Sequence, residues 1–316
     1  MKRVFISFLI LGIACGAASA ADLGTRTLIP GGCIAVITVS NVHTDPGISW
    51  MLNSWLTSQR KSPLKELLKS TAPQELSVAF FPESAAKPVN VLVVMAVAKA
   101  SALDKAKLDA IVMEGEAVKL ETKTYKSTLI AYANGATRPV DYGAYAVVGN
   151  SIIFGVDADI VQKAIDGPSA AAAPNYQKIV SQASPAKDAL LFADNAGLKF
   201  ARFLAPREKK WNLTLLLAAE SLAYMGSTFD IVDSAKVSGS IIFQAADKAA
   251  LADVKDDAEF IGEAFKRKFI ADKVGYTGKV EVNDLTVKLT FQIDGLEPLW
   301  KKLFDKGVLE LFKPGS

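Results

Sequence analysis

The chain has 316 residues, of which 50% are hydrophobic and 22% are charged. This balance excludes a disordered, collagen-like or disulfide-dense protein, and the length allows two domains of about 150 residues or one larger domain. The formal net charge is +3 at pH 7. The basic clusters at Lys209-Lys210 and Lys266-Arg267-Lys268 have acidic neighbours in helical sequence. They indicate solvated helix faces, so we expect no nucleic acid partner.

The first twenty residues, 1–20, have the pattern of a bacterial secretory signal peptide. Lys2 and Arg3 precede an apolar run, and Ala18-Ser19-Ala20 then supplies the small side chains that signal peptidase requires. We predict cleavage between Ala20 and Ala21, with Ala18 and Ala20 as the recognised residues. The mature chain then has 34 basic against 33 acidic residues, because the leader contributes two of the 36 basic residues and no acidic one.

Two alternatives to a cleaved leader remain open. The apolar run is short against the roughly 20 residues of a spanning helix, which disfavours an uncleaved anchor. A lipoprotein would be modified at Cys15, but Gly12 stands three residues before it, where such signals usually have leucine. We expect a periplasmic or secreted protein with no transmembrane span in its mature chain. Lipidation of Cys15 is the alternative.

Cys33 is the one cysteine left after cleavage. It therefore has no partner for an intramolecular disulfide. Because it begins an apolar run, we interpret it as a small buried core residue. A free reactive thiol or an intermolecular bridge is the alternative.

Alternating polar and apolar residues predict the elements of the first half, residues 21–168. Asp45 is predicted to cap the first helix with Pro46 at its first position, and Asp157 to cap a later one. Gly149-Asn150 predicts a tight hairpin turn. The predicted strands are 34–39, 76–81, 89–98, 118–124, 128–133, 144–148 and 151–156, and further helices begin at Leu64 and at a capping box of Ser101 with Asp104.

An alanine-rich segment, 169–175, is predicted to link the first half to a second half, residues 176–316. The second half has predicted strands at 189–193, 229–232, 237–243, 279–282 and 285–293, and helices at 194–224 (broken at Pro206), after Asp247 and at 296–304. Both halves follow the same order of elements. We therefore predict an α+β fold of two similar halves, each a mostly antiparallel sheet with helices packed on one face.

No residue pattern predicts catalysis or cofactor binding. His43 is the one histidine, and no Gly-x-Ser-x-Gly nucleophile turn accompanies it, so we interpret it as a loop residue. Gly31-Gly32 precedes a strand and not a helix, which does not fit a phosphate-binding loop. One acidic cluster lacks the spacing of a calcium loop and indicates a solvated helix face: Asp253, Asp256, Asp257 and Glu259. We predict no catalytic residue, no cofactor and no metal site.

Two segments resemble bacterial exported domains of unknown function. The first is Ser62-Pro63-Leu64-Lys65-Glu66-Leu67-Leu68 before the strand that follows Pro73. The second is Tyr145–Gly155, which is followed by a capped helix. The resemblance implies tandem halves, and it implies no established activity and no catalytic residues.

Export, a mature charge near zero and the lack of a catalytic pattern predict a non-catalytic binding or structural protein of the bacterial cell envelope. Its partner would be an envelope protein or an apolar ligand. The first alternative is a periplasmic carrier or chaperone for a lipid or other apolar ligand, and the second is a carboxylate-based hydrolase. The carrier would use aromatic helix faces that otherwise fill ordinary cores: Trp55, Phe260, Phe265, Trp300 and Phe304.

Overall fold

The computed structural model describes residues 25–42, 44–58, 63–82, 90–98, 103–113, 119–134, 142–167, 169–182, 189–202 and 219–297, with the backbone alone at 51, 54–58, 171, 182, 189 and 268. A mostly antiparallel sheet with helices, the α+β class, is confirmed. The twelve strands described are β1 Ala35–Val39, β2 Pro73–Phe80, β3 Val91–Val97, β4 Lys119–Tyr125, β5 Thr128–Asn134, β6 Ala144–Val148, β7 Ser151–Gly155, β8 Ala189–Asp194, β9 Leu222–Ile231, β10 Lys236–Ala245, β11 Gly275–Asn283 and β12 Thr286–Asp294.

All of these strands form one continuous sheet, in the order β11-β12-β10-β9-β8-β1-β2-β3-β7-β6-β5-β4. The seam lies between β1 and β8, which pair antiparallel from Ala35↔Ala193 to Val39↔Ala189. A separate sheet for each half is therefore wrong. The reason is that β1 is buried along its whole length and has a strand on each side, β2 on one and β8 on the other.

Helices cover both faces of the sheet, so the prediction of helices on one face is also wrong. The helices described are α1 Pro46–Ser58, α2 Pro63–Thr71, α3 Lys105–Val112, α4 Ala158–Asp166, α5 Pro174–Gln182 and α6 Leu251–Ala271. We name the face under α1, α2, α3 and α6 face A, and the opposite face, under α4, α5 and the 3₁₀ turn Thr25–Leu28, face B. The central strands are apolar on both sides, as Val91–Val97 shows, and both sides must be kept from water.

Two helix caps and one hairpin turn that the sequence predicted are present in the structure. The Asp45 carboxylate accepts a hydrogen bond from the Ile48 backbone N–H at 2.9 Å. Asp157 caps α4 through the N–H groups of Asp159 and Ile160. The β6–β7 hairpin turns at Gly149-Asn150, where Gly149 has a φ of +56°. These three predictions are confirmed. Each depends only on residues that are close together in the sequence.

Three predicted elements differ from the structure. Residues 222–224, predicted as the end of a helix, begin strand β9, which pairs with β8 and β10. The predicted linker 169–175 contains the 3₁₀ turn Ala170–Ala172 and the start of α5 and packs against the N-terminal segment. Helix α3 begins after Asp104, whose carboxylate accepts a hydrogen bond from the Ala106 N–H as the N-cap, whereas the predicted capping box begins the helix at Ser101. Ser101 itself lies outside the described residues. In the part of the chain that the structure describes, no helix combines the length and apolarity needed to cross a bilayer.

Candidate functional site

Six polar residues lie buried together at the middle of face B, and we name them the central polar cluster: Thr25, Arg26, Thr38, Ser40, Glu75 and Ser77. Strand alternation places them there. In β2 the side chains of Leu76 and Val78 turn to the apolar core of face A, so Glu75 and Ser77 turn to face B. Thr38 pairs with Ser77 across β1 and β2. Thr25 and Arg26 come from the 3₁₀ turn that lies over these strands.

Glu75 is the acceptor around which the cluster is organised. Its carboxylate accepts hydrogen bonds from the Thr25 backbone N–H at 2.9 Å, from the Thr25 hydroxyl, and from the Ser40 hydroxyl at 2.9 Å. The Ser77 hydroxyl bridges the Thr25 hydroxyl at 2.6 Å and the Thr38 hydroxyl at 2.8 Å. Burial of this carboxylate is tolerated because hydrogen bonds replace the lost water.

Arg26 supplies the positive charge. Arg26 is 3% exposed, and its Nη2 atom lies 3.9 Å from the Glu75 carboxylate. Its Nε and Nη2 have no hydrogen-bond partner among the described residues. The pair is therefore electrically neutral and buried, but the guanidinium is imperfectly bonded. The net contribution of such a pair to stability is small, because the loss of hydration offsets the attraction between the charges.

Tyr176 of α5 lies close to this ion pair. Burial raises the pKa of its phenol to about 12, and the charge of Arg26 opposes the rise. Its ring packs edge-to-face on Phe192 with centroids 5.4 Å apart. The phenol therefore stays neutral at physiological pH. Its hydroxyl has no hydrogen-bond partner among the described residues, so the side chain contributes through the packing of its ring.

A second candidate site is an aromatic cluster on face A, formed by α6 and three strands: Phe229, Phe265, Phe269, Tyr276 and Phe291. Phe269 stacks on Tyr276 with centroids 5.9 Å apart. Phe229 and Phe291 are buried, whereas the rings on α6 are half-buried. The cluster could therefore present an aromatic surface to an apolar ligand.

Phe260, predicted to share the apolar stripe of α6, does not belong to this cluster. It is 46% exposed, while its neighbour Ile261 is buried against the sheet. Consecutive residues of a helix point about 100° apart, so both cannot face the same core. The acidic residues predicted as a solvated face do lie on α6, where Lys255 pairs with Glu259 at 2.8 Å.

Cys33 is a free thiol buried in the core of face B, as predicted. Burial is the main cause that raises its pKa to about 12, and the nearby charge of Asp194 acts in the same direction. The thiolate is the reactive form of cysteine. The folded protein therefore holds this thiol in its unreactive state.

We expect Cys33 to react with a disulfide reagent at pH 8 at least about 100-fold more slowly in the folded protein than in denaturant, because an unfolded thiol has a pKa near 8.5. The measurement is the rate at which the reagent releases its leaving thiol, with and without 6 M guanidinium (roughly the concentration that unfolds most domains). Equal rates in the two conditions would contradict the burial of Cys33.

Other residues singled out from the sequence lie outside the described residues. These are Cys15, Ala18, Ala20, Ala21, His43, Trp300 and Phe304, together with the side chain of Trp55. Among the positions that the structure does describe, no group of three or more histidine, cysteine, aspartate or glutamate side chains is arranged to hold a metal ion.

Sequence reasoning missed the central polar cluster. Glu75 stands one residue before the predicted strand 76–81 and so lies outside that prediction. Glu75, Ser77 and Ala79 alternate with Leu76 and Val78. This alternation of small or polar residues with large apolar ones is the signal that could have extended the strand and placed Glu75 on a face of the sheet.

Comparisons with known proteins give little further information. No family model matches the chain, and no curated protein matches it. Crystal form III of TP0453 is similar in structure with a TM-score of 0.49 and 13% sequence identity, over 91% of this chain and 99% of that one. A similarity this low supports no conclusion about this chain's fold or function.

Proposed function

We propose that this protein is an exported, non-catalytic binding or structural protein of the bacterial cell envelope. The observation that carries the proposal is that the central polar cluster is bonded within the chain. Its carboxylate accepts three hydrogen bonds from hydroxyl and amide groups of the same chain, and a guanidinium is buried beside it. These groups hold a chain segment on the sheet. The leader pattern of residues 1–20 supports export to the periplasm or beyond it.

The proposed scaffold consists of two similar halves related by a two-fold axis at the seam. Support comes from the register of the strands. One row of paired residues crosses five strands on each side of the seam: Tyr145, Phe154, Val93, Val78 and Ile37 in the first half, and Leu191, Ser227, Ile241, Leu289 and Val280 in the second. Counting outward from the seam, α3 follows the third strand of one half and α6 follows the third strand of the other. The β4–β5 hairpin has no counterpart among the strands of the second half.

Mass spectrometry of the protein purified from its own envelope fraction tests the proposed function. We expect the mature chain to begin at Ala21 and to carry no lipid. We expect to recover it either alone or together with a protein partner in a fixed ratio. A diacylated Cys15 or a retained Met1 would contradict the cleaved leader. An apolar ligand bound in a one-to-one ratio under native conditions would overturn the structural or binding proposal in favour of a carrier.

The carrier is a second candidate because the aromatic cluster has half-buried rings on α6. If a lipid co-purifies, Phe269→Ala should reduce the bound fraction severalfold, because this ring stacks within the cluster. Phe260→Ala is the matched control, since it removes the same side chain from an exposed position of the same helix. Equal loss in the two variants would place the ligand elsewhere.

A further inference from the structure

We propose that the central polar cluster is a peptide-binding site for a Thr-Arg segment, which the chain's own N-terminal strap occupies as an intramolecular ligand. The N-terminal strap is Thr25–Pro30. It contributes Thr25 and Arg26, and the sheet contributes Thr38, Ser40, Glu75 and Ser77. The proposal goes beyond the structural role argued above, because it assigns a ligand chemistry to this position.

The strap is held by contacts that resemble peptide recognition. Two of its side chains act as anchors: Arg26 beside Glu75, and Ile29, which is 1% exposed in the core of face B. Its backbone is bound as well. The Ser169 hydroxyl donates to the Arg26 carbonyl at 2.6 Å, and the Ala170 N–H donates to the Ile29 carbonyl at 2.7 Å. Backbone hydrogen bonds combined with side-chain pockets are the usual means by which folded domains bind extended segments.

Charge complementarity makes the site selective for a cation. Glu75 is the one ionisable residue of β1, β2 and β3, three strands whose other side chains are uncharged. Without the strap, its carboxylate would lose the Thr25 donors and the guanidinium charge. A segment that brings a positive side chain next to a hydroxyl and a backbone N–H restores all of them.

The connection between the strap and the sheet is a short exposed turn. Gly31 and Gly32 are exposed, and Gly32 has a φ of +82° with no atom near the position of a Cβ. The turn is therefore set by backbone conformation and not by packing. If the leader is cleaved as predicted, four residues precede Thr25. The strap is then a chain end attached through one turn.

The test uses the chain from Ala21 with a protease site inserted between Gly31 and Gly32 and cut after folding. We expect the released peptide to co-elute with the body in gel filtration, and labelled peptide of residues 21–31 to exchange into the body with one-to-one stoichiometry. An Arg26→Ala peptide should bind at least about 30-fold more weakly, because truncating one partner of a buried charge pair is costly. A Thr27→Ser peptide is the control, because it changes an exposed residue of the same peptide and keeps its hydroxyl group.

Three results would overturn the proposal. In the first, the Arg26→Ala peptide binds as tightly as the native peptide, and the site does not recognise the cation. In the second, the body stays folded after cutting but neither retains nor rebinds the native peptide. In the third, the body unfolds on cutting, and the strap is an integral part of the fold and not a ligand. Circular dichroism of the cut protein distinguishes the second result from the third.

Discussion

Replacing Glu75 with alanine should lower the free energy of unfolding by about 3–5 kcal/mol, because removing one partner of a buried ion pair leaves the other charge uncompensated. The change also removes the acceptor of the Thr25 and Ser40 hydrogen bonds. Urea unfolding followed by circular dichroism measures the loss. Glu281→Ala is the control, because this exposed carboxylate pairs with Lys279 at 2.6 Å in solvent, and we expect its removal to leave the stability almost unchanged. Similar losses in the two variants would contradict the buried pair.

The double variant Arg26→Met with Glu75→Leu separates the charge from the packing. Apolar residues of similar size often replace a buried ion pair with little loss of stability. We therefore expect the double variant to be more stable than Glu75→Ala. A double variant as unstable as the sum of its single changes would indicate that the two side chains act independently.

Gly47→Ala should destabilise the fold by about 3 kcal/mol, because there is no room for a methyl group where α1 crosses β9. A Cβ at Gly47 would lie 2.1 Å from the Ile231 carbonyl oxygen, a backbone atom that a rotamer change cannot move. The measurement is the midpoint of urea unfolding. This contact joins an element of the first half to a strand of the second, so the result also tests how closely the halves pack.

Gly262→Ala is the matched control on α6. Its Cβ would meet the Leu289 Cδ1 at 3.4 Å, an ordinary contact distance. Alanine is favoured over glycine inside a helix, so we expect a gain of about 0.5–1 kcal/mol. A neutral Gly47→Ala would mean that α1 does not approach β9 as described.

The sequence predicted those features that adjacent residues determine. The Asp45 and Asp157 caps and the Gly149-Asn150 turn each depend on one side chain or one backbone conformation. The alternation of Leu285–Ile293 likewise predicted β12, although the turn before it is at residues 284–285, one position later than expected. Bounds elsewhere shifted by a few residues, as they do when flanking residues suit more than one conformation.

Features that depend on distant residues were not predictable in the same way. Apart from Thr38 and Asp194, the strands Ala35–Val39 and Ala189–Asp194 carry apolar side chains on both faces. Neither strand therefore has a wholly polar side that would fix its neighbours, and the sequence of neither strand indicates that the two pair across the seam. Leu222, Ala223 and Tyr224 suit a buried helix as well as a strand. Glu75 is recognisable as part of a cluster only when Arg26, far away in the chain, lies over it.

The seam has a consequence for any attempt to produce one half alone. The outermost strands, β4 and β11, carry charged side chains such as Lys119, Lys123 and Lys279, which discourage further strand addition. β1 has no charged residue and is covered by β8 in the intact chain. A fragment that ends before β8 would expose β1 as an unprotected edge. Its unpaired backbone groups would pair with a second fragment in place of β8, so the first half on its own is prone to self-association.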